Sequence, residues 1–165
     1  MTAPKTWRET YVKVRFTLDP EDWHGWSNEG LWAEPIVSGA SGLVCRLMNS
    51  PFYTRSVSYL DIVRAVPVAD AAEYAFADVI ERGGHSTYMI ACTPDSGDFA
   101  PYWLPLEQLG CRYEWKNIKT SLGPRILYSV DIPARTDIQA AYKILEEGER
   151  RGVWFFQEGY VGHQT

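Results

Sequence analysis

The sequence predicts an α+β protein in which a small SH3-like β-barrel half packs on a ferredoxin-like half. Two observations lead to this class. In the first half, short runs rich in β-branched and aromatic residues follow one another between Gly, Pro, Asn and Ser, without helical periodicity. In the second half, strand-like and helical segments follow the order β-α-β-β-α-β. We expect the halves to be residues 1–84 and 85–165, closely packed as one folding unit, with a C-terminal tail on the second.

The first predicted strand, residues 11–18, has the clearest period of two. Val12, Val14 and Phe16 alternate with polar residues, which is typical of a strand that buries one face. Four further strands of the first half are predicted over residues 31–36, 42–48, 61–68 and 73–82. Short strands in this number favour a small barrel.

Paired glycines, Gly83 and Gly84, predict a β-hairpin between residues 74–80 and 86–91. A primed two-residue turn requires positive φ at both central residues, and glycine adopts such angles readily. The second strand of this hairpin would serve both halves. A direct pair of His85 with Cys92 is not expected, because the strand between them spans roughly 20 Å at about 3.3 Å per residue.

The second half adds two predicted helices, and the longer one has the clearer signals. Thr136 is the expected N-cap, Gln139 completes a capping box, and Gly152 ends the helix after an apolar stripe. A compact helix is predicted over residues 99–109, and strands over residues 111–116, 125–132 and 153–156.

Composition and charge exclude several classes of function. The 165-residue chain is acidic, with a net charge of −5 and no basic cluster, whereas nucleic-acid binding depends on Lys and Arg that neutralise phosphates. An anionic membrane surface is disfavoured for the same reason. Three cysteines cannot all pair within one chain, and no Cys-x-x-Cys spacing or signal peptide is found. A cytoplasmic location is therefore expected.

The histidines give no metal-binding pattern. His24, His85 and His163 lie in three separate segments, without the spacings by which zinc or iron ligands are recognised. We therefore expect neither a metal site nor a cofactor.

Six short segments, taken in order, resemble one known family. They are LWAEP (31–35), NSPF (49–52), YLDIV (59–63), ERGGHST (81–87), LGC (109–111) and EGYVGH (158–163). From about residue 12 to residue 163 the chain is similar to the bacterial domain-of-unknown-function family numbered 4265. The resemblance implies a bacterial origin and a small soluble protein, and it supplies no activity. It also implies Asn at the position of His85, which argues against an essential role for this histidine.

The first candidate catalytic group is His85, which is followed by Ser86 and Thr87. A base and a hydroxyl nucleophile must lie within hydrogen-bond reach of each other. Neighbouring residues on a strand point to opposite faces, so a polar strand start beside a turn is the favoured interpretation.

The C-terminal tail is the second candidate site. Gly159 and Gly162 allow the backbone to turn back, which would bring Glu158, Tyr160 and His163 together. A carboxylate beside an imidazole is a possible acid–base pair. The favoured alternative is a tail that packs its tyrosine and bonds its histidine to a backbone carbonyl.

The third candidate is the loop sequence DPEDWHGWSNEGLW, residues 19–32. Trp23 and Trp26 are the expected anchors of a binding surface that Tyr160 also reaches, because partly exposed tryptophans are typical of recognition sites. Three acidic residues would attract a cationic partner and raise its association rate: Glu21, Asp22 and Glu29. The alternative is a lid in which the tryptophans pack on the barrel core.

These patterns predict a non-catalytic bacterial cytosolic binding protein with a protein or peptide partner. An immunity-like protein that masks a toxin or another basic partner is one concrete version. The alternative is a small hydrolase or transferase that uses Glu158, His163 and His85 as acid–base groups. The oligomeric state is left open.

Overall fold

A computed structural model describes residues 10–69 and 73–164 of the chain. Within these ranges the protein is a mixed α/β structure of nine strands and two helices, in a closed five-stranded barrel and a four-stranded sheet. The α+β class with a barrel is therefore confirmed. The barrel strands are β1 (Val12–Thr17), β2 (Asn28–Gly39), β3 (Gly42–Leu47), β4 (Ile62–Pro67) and β5 (Glu73–Glu81). The remaining elements are β6 (Ser86–Cys92), α1 (Phe99–Gln108), β7 (Arg112–Thr120), β8 (Gly123–Ile132), α2 (Ile138–Arg150) and β9 (Phe155–Val161).

The barrel closes through a parallel pairing of β1 with β5, and the other neighbouring strands are antiparallel. The alternation predicted for β1 is confirmed, since Val14 and Phe16 are buried in the barrel core. β2 extends beyond residues 31–36 at both ends, and its register with β3 shifts between Pro35 and Val37.

The second sheet has the strand order β7-β8-β6-β9, with antiparallel neighbours throughout. Ile90 of β6 and Val130 of β8 pack on one face of this sheet, in the same core cluster as Leu106 of α1 and Leu145 of α2. No helix in the described ranges is long and apolar enough to cross a membrane.

Residues 48–61, the segment between β3 and β4, connect the barrel to the other face of the sheet, and we call this segment the seam loop. Its Phe52 and Tyr53 pack with Met89 of β6 and Leu127 of β8. Ser129 Oγ of β8 donates a hydrogen bond of 2.6 Å to the carbonyl of Pro51. The two halves therefore share a packed and hydrogen-bonded interface.

The predicted hairpin at Gly83 and Gly84 is wrong. β5 pairs with β4 and β1, whereas β6 pairs with β8 and β9, so these glycines lead from the barrel to the sheet. Gly84 has a φ of +83°, and a Cβ on Gly83 would lie 2.8 Å from the carbonyl oxygen of Leu60. Glycine is required here for a left-handed dihedral and for close approach to the seam loop.

Two other local predictions need correction. The N-cap of α2 is Asp137, whose carboxylate accepts the backbone N–H groups of Gln139 and Ala140 at 2.9 and 3.2 Å. Thr136 instead donates from its hydroxyl to the carbonyl of Leu109 at 2.8 Å. The last strand runs to Val161, beyond the expected residues 153–156, because the tail continues to pair with β6.

Candidate functional site

The Trp-bearing connection between β1 and β2 leaves its aromatic rings accessible. Trp23 is 46% exposed and Trp26 is 57% exposed. The backbone N–H of Trp26 donates to His24 Nδ1 at 2.9 Å, and Gly25 has a φ of +72°, so the loop turns locally between the two tryptophans. The rings therefore stand outside the barrel core and do not form its lid.

The Trp-bearing loop packs against the seam loop. The Trp23 and His24 rings lie 5.8 and 4.8 Å from the Tyr53 ring, measured between centroids. Asp22 forms an ion pair of 3.2 Å with Arg55. These contacts hold the two tryptophans on the side of the molecule where the seam loop meets β7.

A groove of about 570 Å³ separates the tryptophans from β7, and we call it the Trp groove. Its lining residues are Trp23, His24, Gly25, Trp26, Tyr53, Lys116, Asn117, Ile118 and Lys119. Lys116 Nζ lies 4.2 Å from the Tyr53 ring centroid and 4.8 Å from that of Phe52, as in cation–π contacts. Within the described ranges Lys116 forms no ion pair, although it is half-buried. The groove is therefore aromatic on the side of the tryptophans and the seam loop, and positively charged along β7.

The acidic residues of the loop have different environments. Glu21 is exposed, and Asp22 is half-buried in its pair with Arg55. Glu29 is buried, and its carboxylate accepts three backbone N–H groups of the seam loop at 2.6, 3.1 and 2.9 Å, those of residues 52, 53 and 54. Glu29 therefore holds the seam loop and does not offer its charge to a partner, which corrects the expectation from sequence.

In the C-terminal tail, His163 pairs with a buried serine. Ser86 Oγ lies 2.6 Å from His163 Nδ1, and His163 Nε2 lies 2.9 Å from the carbonyl oxygen of Pro133. Because a carbonyl only accepts, Nε2 carries the proton and Nδ1 accepts from the serine hydroxyl. Ser86 Oγ also accepts the N–H of Gly162 at 3.0 Å. This arrangement locks the tail and leaves the serine inaccessible, since Ser86 is fully buried.

Glu158 and Tyr160 have partners of their own. Glu158 lies opposite Tyr88 in the β6–β9 register, and it adds to the effect of burial in raising the pKa of Tyr88 to about 12. The Tyr160 ring stacks 3.7 Å from the Arg82 guanidinium, and Tyr160 does not line the Trp groove. The structure therefore gives Glu158 and His163 separate partners and does not pair them with each other.

The sequence interpretation missed a second polar cluster, which lies at the interface of the two halves. His85 Nδ1 donates to Asp131 Oδ1 at 2.7 Å, and Arg112 Nη2 lies 3.7 Å from Asp131 Oδ2. Tyr59 of the seam loop contacts the His85 ring edge-on at 5.3 Å. Asp131 is only 5% exposed and borders a cleft of about 200 Å³. Its Oδ2 has no hydrogen-bond partner in the described part of the chain.

A sequence signal for this cluster exists in β8. Ser129 and Asp131 interrupt an apolar run at alternate positions, so both fall on the face that Leu127 shares. A carboxylate buried in such a run needs a donor from elsewhere in the fold. His85 is that donor.

The cysteines are poor nucleophiles. All three are buried and unpaired. Burial raises the pKa of the Cys45 thiol to about 11 and that of Cys111 to about 12. Near neutral pH these groups are thiols, whereas the thiolate is the reactive form. Over residues 10–69 and 73–164, no group of three or more His, Cys, Asp and Glu side chains could hold a metal ion.

The fold and the groove define an α+β protein with a closed barrel, an adjoining sheet and an exposed aromatic groove. The family model described as Domain of unknown function (DUF4265) matches residues 29–156, and the chain belongs to this family. The resemblance seen in the sequence is thereby confirmed. A crystal structure of a hypothetical protein from Neisseria gonorrhoeae is similar in fold, with a TM-score of 0.65 and 16% identity over 94% of this chain and 96% of that one. The comparison with curated proteins gives no match.

Proposed function

We propose that this protein is a non-catalytic binding protein that recognises another protein or peptide through the Trp groove. The observation that carries the proposal is the exposure of Trp23 and Trp26 opposite the half-buried Lys116. In typical interfaces a few residues supply most of the binding energy, and tryptophan is prominent among them. A monomer gains nothing in its own core from two such exposed rings.

The charges at the groove favour an acidic segment of the partner. Lys116 and Lys119 line the groove, whereas Asp22 is paired with Arg55 and Glu29 is buried. The overall charge of −5 still favours association with a partner that is basic as a whole. An immunity-like role, in which the protein masks a toxin in the bacterial cytoplasm, is one version of this proposal.

The two halves of the fold can be assigned more finely. We infer an SH3-like barrel for residues 1–84 and a ferredoxin-like half for residues 85–165, joined at Gly83 and Gly84. Two features support the ferredoxin-like assignment. They are the strand order β7-β8-β6-β9 and the packing of both helices in one core cluster with the sheet.

The alternative of a small hydrolase or transferase rests on one observation, the hydrogen bond between His85 and Asp131. A carboxylate that accepts from Nδ1 orients an imidazole, as in many acid–base sites. Glu158 and His163 add little to this alternative, because each has a structural partner: Tyr88 for the former and Ser86 for the latter.

Affinity capture with matched variants tests the proposal. The wild type, Trp23→Ala, Trp26→Ala and the control Phe155→Ala are immobilised and exposed to lysate of the source organism. Phe155 is a suitable control because it is an aromatic residue 70% exposed on the opposite edge strand, β9. We expect one protein to be retained by the wild type and the control, and to bind each Trp variant with a loss of about 2 kcal/mol or more. Equal retention by all four proteins contradicts the proposal.

A further inference from the structure

β7 has an open edge beside the Trp groove. It pairs with β8 on one side and is the last strand of its sheet. Of the other backbone hydrogen bonds among the described residues, none involves residues 112–120. An open strand edge is a row of donors and acceptors to which an extended chain can add.

The β7–β8 register indicates which backbone groups face outward. Lys119 lies opposite Pro124, which has no N–H, so this pair is not one of the hydrogen-bonded pairs of the ladder. In an antiparallel ladder, hydrogen-bonded and non-hydrogen-bonded pairs alternate. The outward N–H and C=O groups are therefore those of residues 113, 115, 117 and 119. Two of these residues, Asn117 and Lys119, line the Trp groove.

The side chains along this edge divide between two surfaces. Trp115 is 57% exposed and lies on the same face as Tyr113, which packs against the rings of α1. Lys116 and Ile118 lie on the opposite face, within the Trp groove. An added strand would place alternate side chains on these two surfaces.

The charged residues of β7 indicate which side chains an added strand should carry. Charged residues, lysine above all, commonly protect open edges from pairing. Lys116, however, lies over the Phe52 and Tyr53 rings, and Trp115 stays exposed on the other face. A carboxylate would complement Lys116 where no described acidic side chain pairs with it.

We propose that β7 binds an extended acidic peptide segment of the partner as an additional strand. The segment places carboxylates in the Trp groove near Lys116 and apolar side chains over Trp115, while its backbone pairs with the outward groups of β7. This inference rests on the proposed function, because Trp23 and Trp26 form the facing wall of the same groove.

A blocked octapeptide of alternating Glu and Val tests the inference, with its binding followed by tryptophan fluorescence and calorimetry. Asn117→Pro removes one outward N–H and no bond to β8, and Asn117→Ala controls for loss of the side chain. We expect Asn117→Pro to bind at least tenfold more weakly than Asn117→Ala, which lacks the same side chain and keeps the outward N–H. The Lys116→Glu variant should not bind this peptide, and it should bind a blocked octapeptide of alternating Lys and Val.

A second measurement leaves the protein unaltered. Two peptides are compared, each N-methylated at every second amide, so that the methyl groups lie on one edge of the added strand in the first peptide and on the other edge in the second. Only the peptide methylated on the edge that faces β7 should lose binding. This test stands even if Asn117→Pro does not fold.

Three outcomes overturn the inference. If Asn117→Pro binds normally while Trp26→Ala does not, side chains dock without strand addition, and the proposed function survives. If the lysate partner requires Trp26 but the acidic peptide does not bind, the assigned chemistry is wrong and the proposed function again survives. If the wild type forms a dimer that Asn117→Pro abolishes, the occupant of the edge is a second copy of this chain.

Discussion

The Trp-bearing loop and the C-terminal tail are alike in sequence and opposite in structure. Both place aromatic, acidic and imidazole side chains close to glycines. In the tail, His163 and Ser86 form hydrogen bonds with each other and with nearby backbone groups. In the loop, Trp23 and Trp26 remain half exposed above a groove.

The difference follows from what surrounds each segment. The tail continues β9 along β6, so backbone donors and acceptors lie within reach of its polar groups. The loop leaves the end of the barrel between β1 and β2, where the seam loop and β7 are its neighbours. Residue types alone do not separate a locked segment from an accessible one; the position of the segment relative to a strand edge does.

Glu29→Gln is the strongest test of this contrast, because Glu29, at the start of β2 after the accessible loop, is buried. A glutamine keeps one acceptor and turns an NH₂ group toward backbone donors. Since hydrogen bonds to charged groups contribute roughly 1.5–3 kcal/mol each, we expect the free energy of unfolding to fall by about 3 kcal/mol. Urea denaturation measures the change. The control Glu21→Gln, at an exposed position, should leave the midpoint unchanged.

Ser86→Ala tests whether the tail is locked. It removes the acceptor of the Gly162 N–H and the donor to His163 Nδ1 in a fully buried place. Unsatisfied buried groups cost roughly 1–3 kcal/mol, so a loss of about 2 kcal/mol is expected. Ser121→Ala, at an exposed position of the β7–β8 turn, is the matched control. Equal denaturation curves for the two variants would mean that the tail is not held by this serine.

Trp26→Ala should have the smallest effect on folding. Its ring is more than half exposed, and surface substitutions usually change stability by about 0.5 kcal/mol or less. The contrasting variant is Trp154→Ala, since Trp154 is buried and donates from Nε1 to the Leu145 carbonyl at 2.9 Å. That variant should lose about 3–5 kcal/mol. A thermal melt in which Trp26→Ala behaves like Trp154→Ala would make the loop part of the core.

The sequence allowed the prediction of features that depend on neighbouring residues. The alternation around Val14 indicated β1, and the capping signals near Thr136 indicated α2 within one residue of its true N-cap, Asp137. Strand partners depend on distant segments, which is why Gly83 and Gly84 were mistaken for a hairpin turn. His85 and Asp131 are 46 residues apart, and no spacing rule connects them. The burial of Glu29 depends on the seam loop, which is folded against it from more than 20 residues away.

The seam loop also bears on how the chain reaches its native state. Ser129 Oγ holds the Pro51 carbonyl across 78 residues of sequence, and Ser58 Oγ donates to the Tyr160 carbonyl across 102. Contacts between such distant residues form only after large loops close, which slows folding. The seam loop, which connects β3 to β4 of the barrel, makes these contacts only when the sheet is in place. We therefore expect the two halves to unfold in a single cooperative transition, with coincident curves from tryptophan fluorescence and far-UV circular dichroism.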